Sequence, residues 1–288
     1  MNLIKKYLNI FTVFLAVLFL FSGCINNTSN VLNPKVKSSQ LLVHYIDVGQ
    51  GDSELIQING KNLLIDAGPN DSENKLMSYL NKQNIEKLDY VIATHPDEDH
   101  IGGMSSVIKK YEIDGFYAPR KTTDTLTFEK MIVSLKDKNM KIDVPNPLDT
   151  KLNLGENITA EILAPNSSTY EDTNNYSIVL KITYGDTKFL FTGDAETKSE
   201  SEMTDKNYDL SADVLKVGHH GSSSSTSEEF LDRVNPKIAV ISCGKNNKYG
   251  HPTKKTINKL KKKNIQIYRT DVDGTILLTS DGSKISKE

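Results

Sequence analysis

Two histidines and two aspartates crowd positions 95–100, between an apolar run at residues 90–93 and the pair Gly102-Gly103. The apolar run is typical of a buried strand, and residues 101–110 are predicted to form a helix that opens at the glycines. An acidic turn before a helix is the ordinary alternative, because aspartate is a common first residue of helices. Carboxylates this close repel one another unless a cation holds them together. Two histidines in this register favour a metal site.

Composition sets broad limits on the kind of protein. The chain has 288 residues, a charged fraction of 25% and a formal net charge of −2. This length fits one large or two small domains. The mild acidity argues against a general nucleic-acid coat protein, which would carry a broad basic field. It still allows an enzyme that contacts nucleic acid only at its site.

Residues 1–23 are predicted to be a lipoprotein signal peptide. Two lysines precede an apolar run at residues 7–21, which is short for a membrane span and ends at Ser22-Gly23-Cys24. The last three residues resemble the lipobox of bacterial lipoproteins, in which the cysteine becomes the acylated first residue. An uncleaved signal anchor is the alternative. We expect an exported protein, attached to the outer face of the cell membrane through Cys24.

Residues 24–40 are polar and rich in asparagine and serine, which predicts a disordered tether before a globular domain at residues 41–288. The chain has 2 cysteines. With Cys24 as the anchor, Cys243 has no disulfide partner within the mature chain. It is expected to be an inert core residue.

Periodicity and turn residues predict alternating strands and helices. Predicted strands are residues 41–47, 54–58, 61–66, 88–93, 115–118, 142–144, 160–163, 177–184, 188–192, 213–217, 238–243, 265–268 and 275–279. Predicted helices are residues 71–84, 101–110, 125–138, 227–234 and 252–263. Asn59-Gly60 predicts a tight hairpin turn. Hairpins at residues 53–67 and 177–195 both end in Asp-Ala, which indicates two similar halves and a four-layer αββα sandwich, an α/β fold.

Most histidines lie in loop motifs rather than in strands. The chain has 6 histidines. The five in loop motifs are His95, His100, His219, His220 and His251. His44 lies in the middle of a predicted strand and is expected to be structural.

The motifs THPDEDHIGG, FTGDAE and VGHHGS, together with IDVGQGDS, NNYS and YGHP, resemble those of a known family. They are similar to the metallo-β-lactamase superfamily, in the branch formed by the exported hydrolase domain of ComEC-type competence proteins. The resemblance runs from Tyr45 to Gly274. It implies an αββα fold with a dinuclear metal centre between the two sheets.

The resemblance also implies a ligand set for two divalent metal ions. His95 and Asp97 correspond to ligands of the first metal. Asp99, His100 and either His219 or His220 correspond to ligands of the second. Asp194 corresponds to the ligand that bridges the two. Asp97 stands where the superfamily usually has a histidine, which moves the ligand set toward oxygen and makes manganese a rival to zinc. The superfamily usually has a further histidine before the bridging aspartate. Asn174 or Asn175 is expected at that corner.

Two of the remaining histidines are assigned to catalysis. Because neighbouring side chains at a strand end diverge, His220 is predicted to be the ligand and His219 to face the substrate. His219 or His251 would steady the phosphoryl oxygens or protonate the leaving group. Asp66 resembles the family's buried carboxylate behind the metals, which orients a ligating histidine.

These features together predict an exported, lipid-anchored, dinuclear-metal hydrolase. Its expected substrate is a phosphodiester, with extracellular DNA as the leading choice by resemblance. Phosphorylcholine-type esters of the cell wall, or a non-catalytic metal-containing binding lipoprotein, are the alternatives. A partner channel protein is left open, and a monomer is expected. A lysine-rich helix at residues 252–263 could follow a phosphate backbone, although a solvated helix face is the favoured interpretation.

Overall fold

The computed structural model describes residues 40–288, so the predicted signal peptide and nearly all of the predicted tether lie outside the described residues. The strands are β1 (Leu41–Tyr45), β2 (Glu54–Ile58), β3 (Lys61–Ile65), β4 (Lys87–Ile92), β5 (Glu112–Tyr117), β6 (Ile158–Ala164), β7 (Val179–Tyr184), β8 (Thr187–Phe191), β9 (Val214–Lys216), β10 (Ile238–Ile241), β11 (Gln266–Arg269), β12 (Ile276–Ser280) and β13 (Ile285–Lys287). The helices are α1 (Glu73–Lys82), α2 (Glu98–Ile101), α3 (Met104–Lys110), α4 (Leu126–Asp137), α5 (Thr197–Asp205), α6 (Glu228–Val234), α7 (Lys254–Lys262) and α8 (Thr270–Asp273). Within residues 40–288, no helix is long and apolar enough to span a membrane.

The strands form two mixed sheets built on the same plan. One sheet has the order β13-β12-β1-β2-β3-β4-β5 and the other has the order β11-β10-β9-β8-β7-β6. Each contains antiparallel neighbours (β1-β2-β3 and β6-β7-β8) followed by parallel strands, which need crossover connections. In the first hairpin, Asn59 and Gly60 have φ values of 53° and 74°, as a type I′ turn requires, and they form the predicted tight turn.

Three apolar layers hold the sheets and helices together. The largest lies between the two sheets, where Tyr45 of β1 stacks on Phe191 of β8 with ring centroids 6.0 Å apart. A second layer packs the first sheet against α1, α3 and α4, and a third packs the other sheet against α5, α6 and α7. This gives the helix-sheet-sheet-helix order, so the predicted αββα sandwich is confirmed.

The motif at residues 94–103, which we call the opening motif, lies at the start of a helix that begins earlier than predicted. A short turn, α2, starts at Glu98, and α3 follows after Gly102-Gly103. A Cβ atom at Gly102 would lie 2.2 Å from the backbone nitrogen of Asn70, and one at Gly103 would lie 2.6 Å from the carbonyl oxygen of Ala67. The glycines are therefore needed because the start of the helix rests directly on the backbone that follows β3.

Besides the short elements α8 and β13, which were not predicted, three features differ from the sequence-based expectations. Residues 142–144 form only an isolated bridge between Asp143 and Tyr117, since Pro145 and Pro147 follow closely and prevent a longer ladder. Helix α5 was not predicted, because it has few apolar side chains to show a helical period. The closing strand β12 does not remain with the second half but pairs with β1 in the first sheet.

Candidate metal centre

Five of the six predicted metal ligands meet at one edge of the two sheets, in the segments that follow strand ends. His95, Asp99 and His100 follow β4, Asp194 follows β8, and His220 follows β9. The Nε2 atoms of His100 and His220 lie 3.3 and 3.4 Å from Oδ2 of Asp194. Nε2 of His220 also lies 3.2 Å from Oδ2 of Asp99. Asp194 thus stands between the histidines, as a bridging ligand would.

The facing atoms of this cluster lack hydrogen-bond partners. Nε2 of His95, His100 and His220 and Oδ1 of Asp194 are buried without one. Ligand atoms of His95, His100 and Asp194 lie within 4.8 Å of one another, and so do those of Asp99, His100 and His220. Buried polar atoms are costly unless they are paired. The residues therefore fit divalent cations, and their role as ligands stays a prediction.

The charges of the cluster are strongly coupled. Burial alone would lower the pKa of His100 and of His220. Two carboxylates together outweigh burial at each ring, Asp194 with Asp66 at His100 and Asp194 with Asp52 at His220, and they hold both pKa values well above the ordinary range. Burial would raise the pKa of Asp194, but the two imidazoles hold it well below its ordinary value. The pKa of Asp99 is lowered to about 2, because His220 and His100 outweigh its burial. A cation can take the place of the imidazole protons, since ligating histidines are neutral.

Each of the three imidazoles is held from its Nδ1 side. Nδ1 of His100 lies 2.7 Å from Oδ2 of Asp66. The hydroxyl of Thr94 donates a hydrogen bond to the same Oδ2, and the backbone nitrogen of Thr94 donates one to Oδ1. Nδ1 of His220 lies 2.9 Å from the carbonyl oxygen of Ser242. Nδ1 of His95 lies 3.1 Å from the hydroxyl of Thr94. These contacts fix the rings so that Nε2 faces the centre of the cluster.

Asp97 lies at the mouth of the cluster rather than inside it. Its side chain is 46% exposed, and its Oδ2 is 3.7 Å from Nε2 of His95. It is therefore close enough to share a cation with His95 only at the open side of the site.

The paired histidines separate for a reason different from the one expected. β9 ends at Lys216, and both histidines have left-handed backbone angles, with φ of 47° at His219 and 51° at His220. A turn, not strand alternation, sends their side chains apart, so the expected reason was wrong. His220 is buried among the facing atoms. The side chain of His219 is 24% exposed, with Nδ1 3.1 Å from Oε1 of Glu196 and Nε2 3.7 Å from Oδ2 of Asp194.

Two other predicted residues border the cavity that lies over the cluster. The His251 ring lies edge-on to His219 with centroids 5.3 Å apart, and its pKa is lowered by burial and by His219 and His220. Nδ2 of Asn174 lies 3.3 Å from Oε1 of Glu196. Asn174 lines the cavity, so it is the one of the two asparagines that faces the cluster, and its place at the expected corner stays a prediction. The other candidate for that corner, Asn175, instead accepts hydrogen bonds from backbone nitrogens at the start of α5.

The cavity over the cluster opens into a larger groove. The cavity has a volume of about 130 Å³, and the groove beside it has about 610 Å³. Gln50, Asp97, Asp99 and Tyr249 line both. The facing atoms of the cluster are thus reachable by a substrate from one side.

Comparison with known proteins identifies this arrangement. Residues 46–245 match the metallo-β-lactamase superfamily. The chain belongs to that superfamily. Its fold usually holds a dinuclear metal centre, and the His/Asp clusters of this metallo-β-lactamase domain lie at the strand ends where such a centre would sit.

Its relatives include proteins named for competence. ComE operon protein 3 of Bacillus subtilis is 34% identical over 257 residues, covering 83% of this chain and 33% of that protein. Competence protein ComA of Neisseria gonorrhoeae is 31% identical over 243 residues, covering 84% of this chain and 32% of that protein. The resemblance to the competence branch is confirmed. This chain spans about a third of the length of these relatives.

A solved structure supports the fold alone. The metallo-β-lactamase fold protein YhfI from Bacillus subtilis superposes with a TM-score of 0.55 at 15% identity, covering 86% of this chain and 100% of that one.

Behind the metal centre of this metallo-β-lactamase domain lies a buried ion pair that sequence reasoning missed. Lys216 and Asp52 are both buried and form a salt bridge. Burial would raise the pKa of Asp52, but Lys216 and His220 lower it. The pKa of Glu54 is raised well above its ordinary value by burial and by Asp52. A single lysine inside the apolar run of β9 was the available signal, because a buried lysine requires a buried partner.

Proposed function

We propose that this protein is an exported, metal-dependent phosphodiesterase that acts on extracellular DNA. One observation carries the catalytic part of the proposal. The buried Nε2 atoms of three histidines and the carboxylate of Asp194 meet without other partners under an open cavity. A binding protein would not need a reactive cluster of this kind at the floor of a cleft.

The proposed chemistry divides between the metal ions and the surrounding side chains. Two divalent ions would lower the pKa of a water molecule and polarise a phosphoryl oxygen. His95, Asp97, Asp99, His100, Asp194 and His220 would hold them. The mixture of imidazole and carboxylate ligands suits both zinc and manganese.

His219 and His251 would act on the substrate rather than on the ions. Glu196 holds Nδ1 of His219, which leaves Nε2 facing the cavity. The lowered pKa of His251 favours its neutral form near pH 7, so this ring can donate a hydrogen bond to a phosphoryl oxygen without adding charge. One of the two would protonate the leaving oxygen.

The substrate is inferred from the relatives, and the location from the start of the sequence. The resemblance to the competence branch is what supports DNA as the substrate. Export and attachment to the membrane through a lipid on Cys24 follow from the signal and lipobox pattern at the start of the sequence. Esters of phosphorylcholine on the cell wall remain the rival substrate.

The test is an activity screen of the purified protein with manganese and with zinc. Substrates are bis(p-nitrophenyl) phosphate, single-stranded and double-stranded DNA, and phosphorylcholine esters. We expect hydrolysis of the small diester and of DNA, with both activities lost in Asp194→Asn together with bound metal. Metal-loaded wild-type protein that cleaves only phosphorylcholine esters would move the assignment to the cell wall. Inertness toward every diester would favour a binding role.

A further inference from the structure

A basic groove lies beside the metal centre and takes no part in holding the ions. It has a volume of about 460 Å³. Three lysines of α7 and three hydroxyl side chains line it: Lys255, Lys259, Lys262, Thr197, Ser223 and Ser227. We call it the lysine groove.

The lysine groove is joined to the catalytic cavity through one short loop. Ser223 lines the groove, and the next residue, Ser224, donates a hydrogen bond of 2.7 Å to Oε1 of Glu196. The same Oε1 lies 3.1 Å from His219. Residues 219–227 therefore border both the catalytic cavity and the groove, and we call residues 222–226 the serine loop.

Hydrogen bonds hold α7 and the serine loop together along the lysine groove. Lys259 is buried, and its ammonium group donates hydrogen bonds to the carbonyl oxygens of Ser225 and Thr226. The hydroxyl of Thr256 donates to the carbonyl oxygen of Ser222. Helix and loop thus form one rigid wall, on which the two exposed lysines stand.

The charge of the groove contrasts with that of the whole chain. Among the residues that the structure describes, neither Lys255 nor Lys262 is within salt-bridge distance of a carboxylate, so both ammonium groups are available. The one carboxylate that lines the groove, Glu228, lies 3.9 Å from Lys263. A chain with a net charge of −2 therefore has a local excess of positive charge at this wall.

We propose that the lysine groove binds the phosphates of a nucleic-acid strand beyond the scissile linkage, an inference that rests on the proposed phosphodiesterase function. Lys255 and Lys262 are seven positions apart on one face of α7, a rise of roughly 10 Å. A strand in a nucleic-acid helix rises about 3.4 Å per nucleotide along the axis, so this length corresponds to about three nucleotides, and each of the two lysines would contact one phosphate.

A second feature selects nucleic acid over other phosphodiester polymers. Tyr249, at the shared edge of the cavity and the larger groove, is 57% exposed and lies nearly parallel to the His251 ring, with centroids 5.9 Å apart. An exposed ring beside a phosphate path is a stacking surface for a base. A polymer of glycerol phosphate has no flat group to place on it.

The experiment compares two double variants of the same helix with equal changes in charge. Lys255→Gln/Lys262→Gln removes the two exposed lysines of the groove, and Lys254→Gln/Lys261→Gln removes two exposed lysines that do not line it. Binding of a single-stranded phosphorothioate oligonucleotide is followed by fluorescence anisotropy from about 50 to about 200 mM salt.

For the groove pair, we expect the slope of log affinity against log salt to become shallower by about 1.4, since each phosphate contact contributes about 0.7. We also expect turnover of an unmodified oligonucleotide of the same sequence to fall relative to turnover of bis(p-nitrophenyl) phosphate. The other pair should keep the wild-type slope. An equal change in both pairs, or none in the groove pair, would overturn the proposal.

A competition arm identifies the polymer. Glycerol-phosphate polymer that displaces the oligonucleotide at equal phosphate concentration would overturn the assignment to nucleic acid. If the protein hydrolyses no diester at all, the proposed function fails on the screen above. The anisotropy slopes still decide the groove by themselves, because they do not depend on turnover.

Discussion

At the scale of single residues, the metal centre depends on atoms that face away from it. Asp66 has a left-handed backbone, with φ of 55°, which turns its carboxylate toward His100 at the end of β3. Because a carboxylate on Nδ1 fixes the tautomer and the direction of the ring, it raises the affinity of Nε2 for a metal.

We expect Asp66→Asn to weaken metal binding by about 10–100-fold while the fold is retained, as is typical for residues that orient a ligand. Metal titration with a competing chelator measures the affinity, and circular dichroism checks the fold. Asp114→Asn, which removes an exposed carboxylate of β5, is the control and should bind metal as the wild type does. Unchanged affinity in Asp66→Asn would show that Asp66 does not orient the ring for binding.

The paired histidines give a prediction that separates structure from chemistry. His220→Ala should lose metal and activity together, because its Nε2 lies among the facing atoms. His219→Ala should keep the metal and lose turnover by about 10²–10⁴-fold, the usual scale for a positioned acid–base group. Elemental analysis and diester hydrolysis are measured on both variants. Exchanged phenotypes would exchange the two roles.

His44 provides a pH-dependent contribution to stability far from the metal ligands in the sequence. Burial lowers its pKa to about 4, against the smaller raising effect of its hydrogen bond to Gln57. As pH falls below about 6.5, His44 is protonated in the unfolded chain but stays neutral in the folded chain. Stability is therefore lost until the pH reaches the folded-state pKa of about 4. The loss between pH 7 and pH 5 is ~2 kcal/mol.

Urea unfolding with chelator present, at both pH values, measures this loss. The control is His44→Gln, which has no group titrating in that range and should lose correspondingly less stability between the two pH values. Equal losses in the wild type and the variant would contradict the prediction.

At the scale of residues, some members of the candidate site could be predicted from the sequence and others could not. The motif residues were predictable because they are metal-capable side chains placed directly after apolar strands. Asp52 and Lys216 were not predicted as a pair, because they are far apart in the chain and meet only when the two sheets pack together.

At the scale of elements, apolar periodicity predicted every long strand, usually within one or two residues of its ends. The turn at His219–Gly221 could not be foreseen, because two consecutive left-handed residues that are not glycine leave no signal in hydrophobic pattern. Helix α5 could not be predicted from the sequence for a related reason. Its start is fixed by Asn175 from another loop, not by its own sequence.

The contact between the opening motif and the loop after β3 can be tested with one methyl group. Gly102→Ala places a carbon 2.2 Å from a backbone nitrogen, so the backbone must move. We expect a loss of about 1–3 kcal/mol in the free energy of unfolding, the usual cost of overpacking. Chemical denaturation measures it. Lys109→Ala, exposed on α3, should leave the midpoint unchanged, and an equally stable Gly102→Ala would show that the loop yields freely.

At the scale of the whole molecule, location is a separate question from fold, because it depends on residues outside the described region. We expect Cys24→Ala to abolish lipid modification and to leave the start of the chain unprocessed. Mass spectrometry of the protein purified from membranes measures both. Wild-type protein that carries no lipid on Cys24 would instead indicate anchoring by the uncleaved apolar run.

The pairing of β1 with β12 has a consequence for how the domain is made. Leu41 faces Ser280 across this ladder, so among the described strands the first to be synthesised waits for one of the last. Until β12 arrives, one edge of β1 has no partner, and an open edge invites pairing with other chains. Contacts between residues this distant in sequence also form slowly. A chain that ends before β12 would therefore contain every predicted metal ligand and also a strand edge that is open to pairing with other chains.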